Sequence, residues 1–169
     1  MLVPNLYCDV DGVINISKHH DEAVTKFIFR RLPSFVGRIG VVPLRLRWST
    51  YVPDFLTDLS ANFFWLTTWN HQAVHILEPL LGIKSKGVLD YKMKLREARH
   101  QKWKYELLQA HQAKNPTPFI WIDDVATKHY REEDWVNAPQ HLVIRPLKHQ
   151  GITREHMEQI TNFMASMRG

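Results

Sequence analysis

The sequence is poor in cysteine and has no long apolar run. Cys8 is its only cysteine, so no disulfide can form within the chain, and we expect a reducing compartment. No apolar stretch approaches the ~20 residues that a membrane-spanning helix needs. Residues 1–13 also lack the basic-then-apolar pattern of a secretory signal. We therefore expect a cytoplasmic protein that does not associate with membranes.

Two kinds of catalytic pattern are also missing. The chain has ten histidines but no HExxH motif and no Cys/His cluster, and His71 and His75 are merely one helical turn apart. A cysteine-phosphatase loop would need an arginine six residues after Cys8, where the chain has Ile14. These absences argue against a zinc enzyme and against a thiol nucleophile, and Cys8 is expected to be a buried, inert residue.

The composition is that of a globular protein with an uneven charge distribution. With 169 residues, of which 44% are hydrophobic, the chain is expected to form a single domain over 1–169. Positive charge is concentrated in two segments, and the rest of the chain is net acidic. Between Ile16 and Tyr51 there are seven Lys or Arg and two acids, and between Lys84 and Lys104 there are eight Lys or Arg and two acids. Such segments indicate either an anionic partner, including nucleic acid, or solvated surfaces.

Short apolar runs alternate with helical patterns along the chain. The runs are rich in aromatic and β-branched residues, which suits strands buried on both faces. They are Leu6–Cys8, Phe63–Leu66, Phe119–Ile122 and His141–Ile144. Helices are predicted over Val52–Ala61 and Asn70–Leu81, around Trp103–Leu108, and along the stripe from Met157 to Met167. This alternation predicts an α/β fold, a parallel sheet flanked by helices.

The segment 16–51 interrupts this alternation. Leu44, Leu46 and Trp48 alternate with Arg45 and Arg47, so a strand here has one apolar and one basic face. We predict a basic hairpin, or small lid, inserted just after the first strand.

Polar residues follow three of the predicted strands. Asp9 and Asp11 follow the first, Thr67 the second, and Asp123 with Asp124 the third. Ligands of open α/β sheets bind at the carboxyl ends of the strands, so these residues are expected to converge. Two close carboxylates repel each other unless a cation lies between them, and Mg²⁺ suits oxygen ligands. Gly12 would let the backbone approach a phosphate closely.

These motifs resemble those of the haloacid dehalogenase (HAD) superfamily. Asp9-Val10-Asp11-Gly12-Val13 is similar to its motif I, Phe64-Trp65-Leu66-Thr67 to motif II, and Ile120-Trp121-Ile122-Asp123-Asp124 to motif IV. The residues around Thr67 and Asp123, Leu66-Thr67-Thr68-Trp69 and Trp121-Ile122-Asp123-Asp124, resemble those of small HAD domains, including those of RNA-repair proteins. The resemblance implies a Rossmann-like HAD fold with a small hairpin lid.

The same resemblance implies a role for each motif residue. Asp9 would be the nucleophile that forms an aspartyl-phosphate, and Asp11 the acid that protonates the leaving group and then the base that activates water. Asp9, the Asp11 carbonyl and Asp123 would hold Mg²⁺, with Asp124 as a ligand or as support. Thr67 would bind the phosphoryl oxygens, and Gly12 and Thr68 would lie against the substrate.

The motif III lysine has two candidates, Lys102 and Lys104. Lys104 is preferred because Leu107 and Leu108 would lie on the inner face of the same helix. Arg45 and Arg47 are predicted to contact substrate phosphates beyond the one being cleaved. For Trp48 and Trp69, core packing is the favoured interpretation, and contact with a base or sugar is the alternative.

The sequence thus predicts a Mg²⁺-dependent phosphatase that acts on a phosphorylated substrate, with nucleic-acid ends or nucleotides as the favoured class. Two alternatives remain at this point. One is a non-catalytic nucleic-acid-binding module that keeps a HAD-like fold, and the other is a small-metabolite phosphatase. The oligomeric state has no sequence signal.

Overall fold

The computed structural model describes residues 3–32, 40–90, 102–125 and 135–167. Its centre is a four-stranded sheet in the order β4-β1-β5-β6, with β1 at Asn5–Cys8, β4 at Asn62–Trp65, β5 at Phe119–Ile122 and β6 at His141–Ile144. All three pairs of neighbouring strands are parallel. The predicted parallel α/β sheet is therefore confirmed, and β1 and β5 occupy its centre.

The central strands β1 and β5 are buried on both faces, and alternate residues of each strand point to opposite sides of the sheet. On one face, Leu6, Cys8, Ile120 and Ile122 share a core with helices α1 (Tyr51–Asp58), α2 (Glu78–Leu81) and α4 (Arg154–Ser166). On the other face, Tyr7 and Trp121 pack against helix α3 (Lys102–Lys114). Strands with two buried faces read as continuous apolar runs, as β1 and β5 do. The outer strands β4 and β6 are only partly buried, so the prediction of two buried faces does not hold for them.

The basic hairpin follows β1, as predicted. Its strands β2 (Ala23–Leu32) and β3 (Gly40–Ser49) pair antiparallel and form a separate two-stranded sheet. Leu46 and Trp48 belong to the first core, and the opposite face is directed away from it. The tip, 33–39, lies outside the described residues, as does most of the second basic segment, 91–101.

The helices differ from their predicted bounds in two places. The predicted helix Val52–Ala61 begins one residue earlier and ends at Asp58. The predicted helix Asn70–Leu81 contains a π-helical segment, Ala73–Leu77, before α2. Pro79 lies just beyond this segment. Its ring would clash with the carbonyl four residues earlier in a regular α-helix, and a wider turn relieves that clash. Among the described helices, none combines the length and apolarity needed to cross a membrane.

Candidate active site

The carboxyl edge of the sheet brings the predicted acids together. Sheet hydrogen bonding continues past the strand ends, because Asp9 N–H donates to Ile122 O at 3.0 Å and Asp123 N–H donates to Ile144 O at 3.1 Å. Asp9 is only 6% exposed and Asp123 is fully buried. The two side chains therefore leave neighbouring strands at the same level, in a place from which water is largely excluded.

Three carboxylates form one cluster at this edge. Asp9, Asp123 and Asp124 each offer an oxygen, and these oxygens all lie within 4.8 Å of one another. Such a set of hard oxygen donors suits Mg²⁺, which commonly binds through few carboxylates and completes its shell with water and substrate oxygens. Within the described parts of the chain, this is the one group of metal-ligating side chains so arranged.

Lys104 extends from α3 into this cluster. Its Nζ lies 2.5 Å from Asp9 Oδ2 and 2.5 Å from Asp123 Oδ2, and the lysine itself is 7% exposed. Lys102, two residues earlier on the helix, is exposed to solvent. Of the two candidates for the motif III lysine, only Lys104 therefore contacts the acids.

The pKa values in the cluster follow from burial and charge. Burial alone would lower the pKa of Lys104, but the negative charges of Asp9 and Asp123 outweigh it and raise that pKa. Burial, together with the nearby Asp9 charge, raises the pKa of Asp123 to about 7 although Lys104 opposes the shift. The pKa of Asp124 is also raised, mainly by burial. One lysine thus leaves part of the negative charge uncompensated, which is the condition that a bound cation relieves.

The remaining oxygens of the two buried acids are held by backbone N–H groups. Asp9 Oδ1 accepts from Val10 N–H at 2.7 Å, and Asp123 Oδ1 accepts from Val125 N–H at 2.9 Å. Each carboxylate therefore has one oxygen bound to the backbone and one bound to Lys104. These bonds restrict both side chains to a single orientation.

Asp11 lies outside the carboxylate cluster and has partners of its own. Asn15 Nδ2 donates to Asp11 Oδ1 at 2.8 Å, and the Trp69 indole Nε1 donates to Asp11 Oδ2 at 2.9 Å. The loop between Asp11 and Asn15 is tight, since Val10 O accepts from three successive N–H groups, those of residues 13–15. The Asp11 carboxylate is thereby oriented from two sides.

Trp69 and Asn15 are site residues that the sequence did not predict in these roles. Trp69 is fully buried, and Trp48 is 6% exposed. Both tryptophans pack in the core, which is the favoured interpretation of the two. The spacing of Asn15 four residues after Asp11 is a weak local signal for its bond, whereas the Trp69 bond spans 58 residues and has none.

Gly12 and the two threonines line the same edge. Gly12 has φ +84°, and a Cβ there would lie 2.5 Å from Asp124 Cγ, so glycine is required for two reasons. Thr67, fully buried, follows β4, and its Oγ1 accepts from Trp69 N–H at 3.3 Å. Thr68 is exposed beside it. Besides accepting this bond, the Thr67 hydroxyl can donate one hydrogen bond.

The two arginines on β3 are in different situations. Arg47 is half-buried, and its guanidinium donates to Thr25 Oγ1 at 2.9 Å and to Ser17 O at 3.0 Å. It therefore braces the base of the hairpin. Arg45 is exposed. A direct substrate contact by either arginine stays a prediction.

The comparison with known families decides the identity of the fold. Residues 5–157 match the family described as the HAD domain in Swiss Army Knife RNA repair proteins. The chain belongs to this family. No curated protein and no solved structure matches it. The match spans the segments that contain Asp9, Thr67 and Asp123, and the resemblance to the HAD superfamily is confirmed over residues 5–157.

Proposed function

We propose that this HAD domain is a Mg²⁺-dependent phosphoric monoester hydrolase with Asp9 as its nucleophile. The observation that carries the proposal is the position of Asp9. It lies buried at the end of a central strand, 2.5 Å from Lys104 Nζ and in one cluster with two further carboxylates. A surface acid or an Asx turn needs neither the buried lysine nor the second acidic pair.

The donor set fits Mg²⁺ in number and kind. Asp9 and Asp123 would hold the ion together with the Asp11 backbone carbonyl, and Asp124 would act as a further ligand or as support. When bound, the ion would offset negative charge on the transferring phosphoryl group. Lys104 contributes a second positive charge at the same place, and the Thr67 hydroxyl can donate to a phosphoryl oxygen.

In the proposed first step, the Asp9 carboxylate attacks phosphorus and the bond from phosphorus to the leaving oxygen breaks. Asp11 gives its proton to that oxygen, so the alcohol leaves neutral. In the second step, Asp11 takes a proton from water as the water oxygen attacks the phosphorus of the aspartyl-phosphate. Inorganic phosphate leaves and the Asp9 carboxylate is restored. Asn15 and Trp69 hold Asp11 in place for both transfers.

For the substrate, we propose a phosphorylated nucleic-acid end or a nucleotide. Two features support this class. The hairpin beside the site carries basic residues, and the family is described by its occurrence in RNA repair proteins. A small-metabolite phosphatase remains the alternative if hydrolysis does not depend on the hairpin.

Hydrolysis of a generic aryl phosphate tests the chemistry. The chain should release phosphate with Mg²⁺, lose this activity with a chelator, and regain it when Mg²⁺ is restored. Asp9→Asn should abolish turnover, because it removes the attacking oxygen while keeping the shape. Asp58→Asn makes the same chemical change at an exposed position on α1 and should leave turnover intact.

Two results would contradict the proposal. Turnover by Asp9→Asn, or turnover that a chelator does not affect, would remove the mechanism. Oligonucleotide binding without hydrolysis of any phosphate monoester would support the non-catalytic module instead. The intact set of Asp9, Asp11, Thr67 and Asp123 argues against that outcome, since binding alone needs no nucleophile.

A further inference from the structure

The hairpin exposes two large aromatic side chains next to each other. Phe27 is 78% exposed and Phe29 is 72% exposed, although most phenylalanines in globular proteins are largely buried. They are two residues apart on β2 and therefore point to the same side of the strand. Exposed apolar groups placed together in this way mark an interaction surface more often than isolated ones do.

The residues paired with this strand are basic or uncharged. In the hairpin register Phe27 lies opposite Arg45, and Thr25 lies opposite Arg47. Directly opposed residues of antiparallel strands share a face, so these four and Phe29 form what we call the outer hairpin face. Strands β2 and β3 contain no acidic residue at all. The outer hairpin face is thus both aromatic and positively charged.

The opposite side of the hairpin is anchored in the protein. Leu46 is fully buried, Trp48 is 6% exposed, and Ile28 and Leu44 pack against the same core. The two phenylalanines therefore project from a hairpin whose other side is packed. Rings held in this way lose little conformational freedom when a flat partner stacks on them.

We propose that the outer hairpin face binds single-stranded nucleic acid. Bases stack on Phe27 and Phe29, and Arg45 pairs with the adjoining phosphates. Aromatic side chains with interleaved positive charge are the combination by which proteins bind single strands without reading their sequence. The inference rests on the proposed function in one respect, namely that the bound strand presents its phosphorylated end to Asp9.

The spacing of the rings is compatible with stacked bases. Residues two apart on a strand are separated by about 6.7 Å. Neighbouring bases along one strand of a duplex lie ~3.4 Å apart. Two rings at twice the stacking distance leave room for one base between them. A duplex keeps its bases paired and stacked, so it offers the rings no such surface.

The charge on this face also favours a polyanion over a second copy of the chain. A symmetric dimer through the outer hairpin face would place Arg45 and Arg47 of each copy against the same residues of the other, with no acid in either hairpin to compensate.

The base of the hairpin, in addition, adjoins the site. Arg47 N–H donates to Asn15 Oδ1 at 3.0 Å, and the same Asn15 holds Asp11. A nucleic-acid strand that lies on this face is therefore next to the carboxyl edge of the sheet, where Asp9 and Asp11 lie.

The test uses an oligonucleotide that has no terminal phosphate, so that binding does not depend on hydrolysis. Fluorescence anisotropy would measure the affinity of the full chain for a labelled single-stranded RNA of mixed sequence. Phe27→Ala and Phe29→Ala should each weaken binding at least about fivefold. Phe27→Trp should keep or increase the affinity for RNA, because the larger ring still stacks. Arg45→Gln should lower affinity and reduce the salt slope by about 0.7.

Matched controls lie at the opposite end of the sheet. Val3→Ala removes another exposed apolar side chain, and Lys114→Gln removes an exposed charge beyond the amino ends of the strands. Neither should change RNA binding. The ring variants should melt at the wild-type temperature and hydrolyse an aryl phosphate at the wild-type rate. If the wild-type chain does not hydrolyse an aryl phosphate at all, the proposed function is refuted, while the RNA-binding result still stands.

Three outcomes would overturn the inference. The first is equal RNA affinity for the wild type and the two alanine variants. The second is binding of anionic phospholipid vesicles, but not of RNA, through the same rings, which would make the face a membrane contact. The third is a dimer in solution that Phe27→Ala and Phe29→Ala convert to a monomer.

Discussion

Replacing Lys104 with methionine tests the arrangement of the site more directly than any other single change. The substitution keeps the length and apolar character of the buried stem but removes the ammonium group. Asp9 and Asp123 then face each other in a buried place without the charge that lies 2.5 Å from both. The perturbation therefore isolates the electrostatic role of one group.

The magnitude follows from the burial of all three side chains. Lys104 and Asp9 are 7% and 6% exposed and Asp123 is fully buried, so solvent screens their interaction weakly. Removing one partner of a buried ion pair typically lowers the free energy of unfolding by about 3–5 kcal/mol. For a protein of this length each kcal/mol corresponds to about 2–4 °C, so the melting temperature should fall by roughly 6–20 °C.

The assay compares thermal unfolding of Lys104→Met and Lys102→Met with and without Mg²⁺. Lys102 is exposed on the same helix, so its replacement should change the free energy of unfolding by less than about 0.5 kcal/mol. Mg²⁺ should raise the melting temperature of Lys104→Met more than that of the wild type, because the ion then compensates two uncovered carboxylates. Aryl-phosphate hydrolysis should fall sharply only in Lys104→Met. Equal stability and activity of the two variants would refute this account of the site.

Three further predictions concern the same edge of the sheet. Trp69→Phe should slow hydrolysis of phosphates with poor leaving groups more than those with good ones, because Asp11 loses one of its two oriented bonds. Trp121→Phe is the control, since its buried indole N–H has no hydrogen-bond partner among the described residues. Gly12→Ala should lower Mg²⁺ affinity in a titration, whereas Gly82→Ala, also at positive φ but with no atom within 4 Å of its Cβ, should lower only stability. Calcium should inhibit turnover, because its larger and more variable coordination shell disturbs the in-line arrangement; activation by calcium would contradict a magnesium site.

The parts of the fold that could be predicted are those encoded by neighbouring residues. Each central strand is a short apolar run that ends in an acid or a hydroxyl, and parallel pairing brings such ends together whatever the helices between them do. The convergence of Asp9 and Asp123 follows from this topology. The alternation around Arg45 similarly predicted a hairpin with one buried and one basic face.

Contacts between distant segments could not be predicted in the same way. The choice between Lys102 and Lys104 depends on the helical phase, since residues two apart on a helix point in nearly opposite directions. Lys104 shares a face with the buried Leu108, four residues later, and this is the signal that favoured it. The bond from Trp69 to Asp11 depends on how the loop after β4 packs against the loop after β1. Neither loop carries that information alone.

The packing of the hairpin bears on how a substrate reaches Asp9. A lid that opens and closes must expose its inner side in the open state. Here that inner side contributes Leu46 and Trp48 to the main core, and exposing such side chains costs about 1.5–3 kcal/mol each. Arg47 adds bonds from the hairpin to Ser17 and Asn15. These anchors predict a hairpin that keeps its position beside the site rather than a lid that opens and closes.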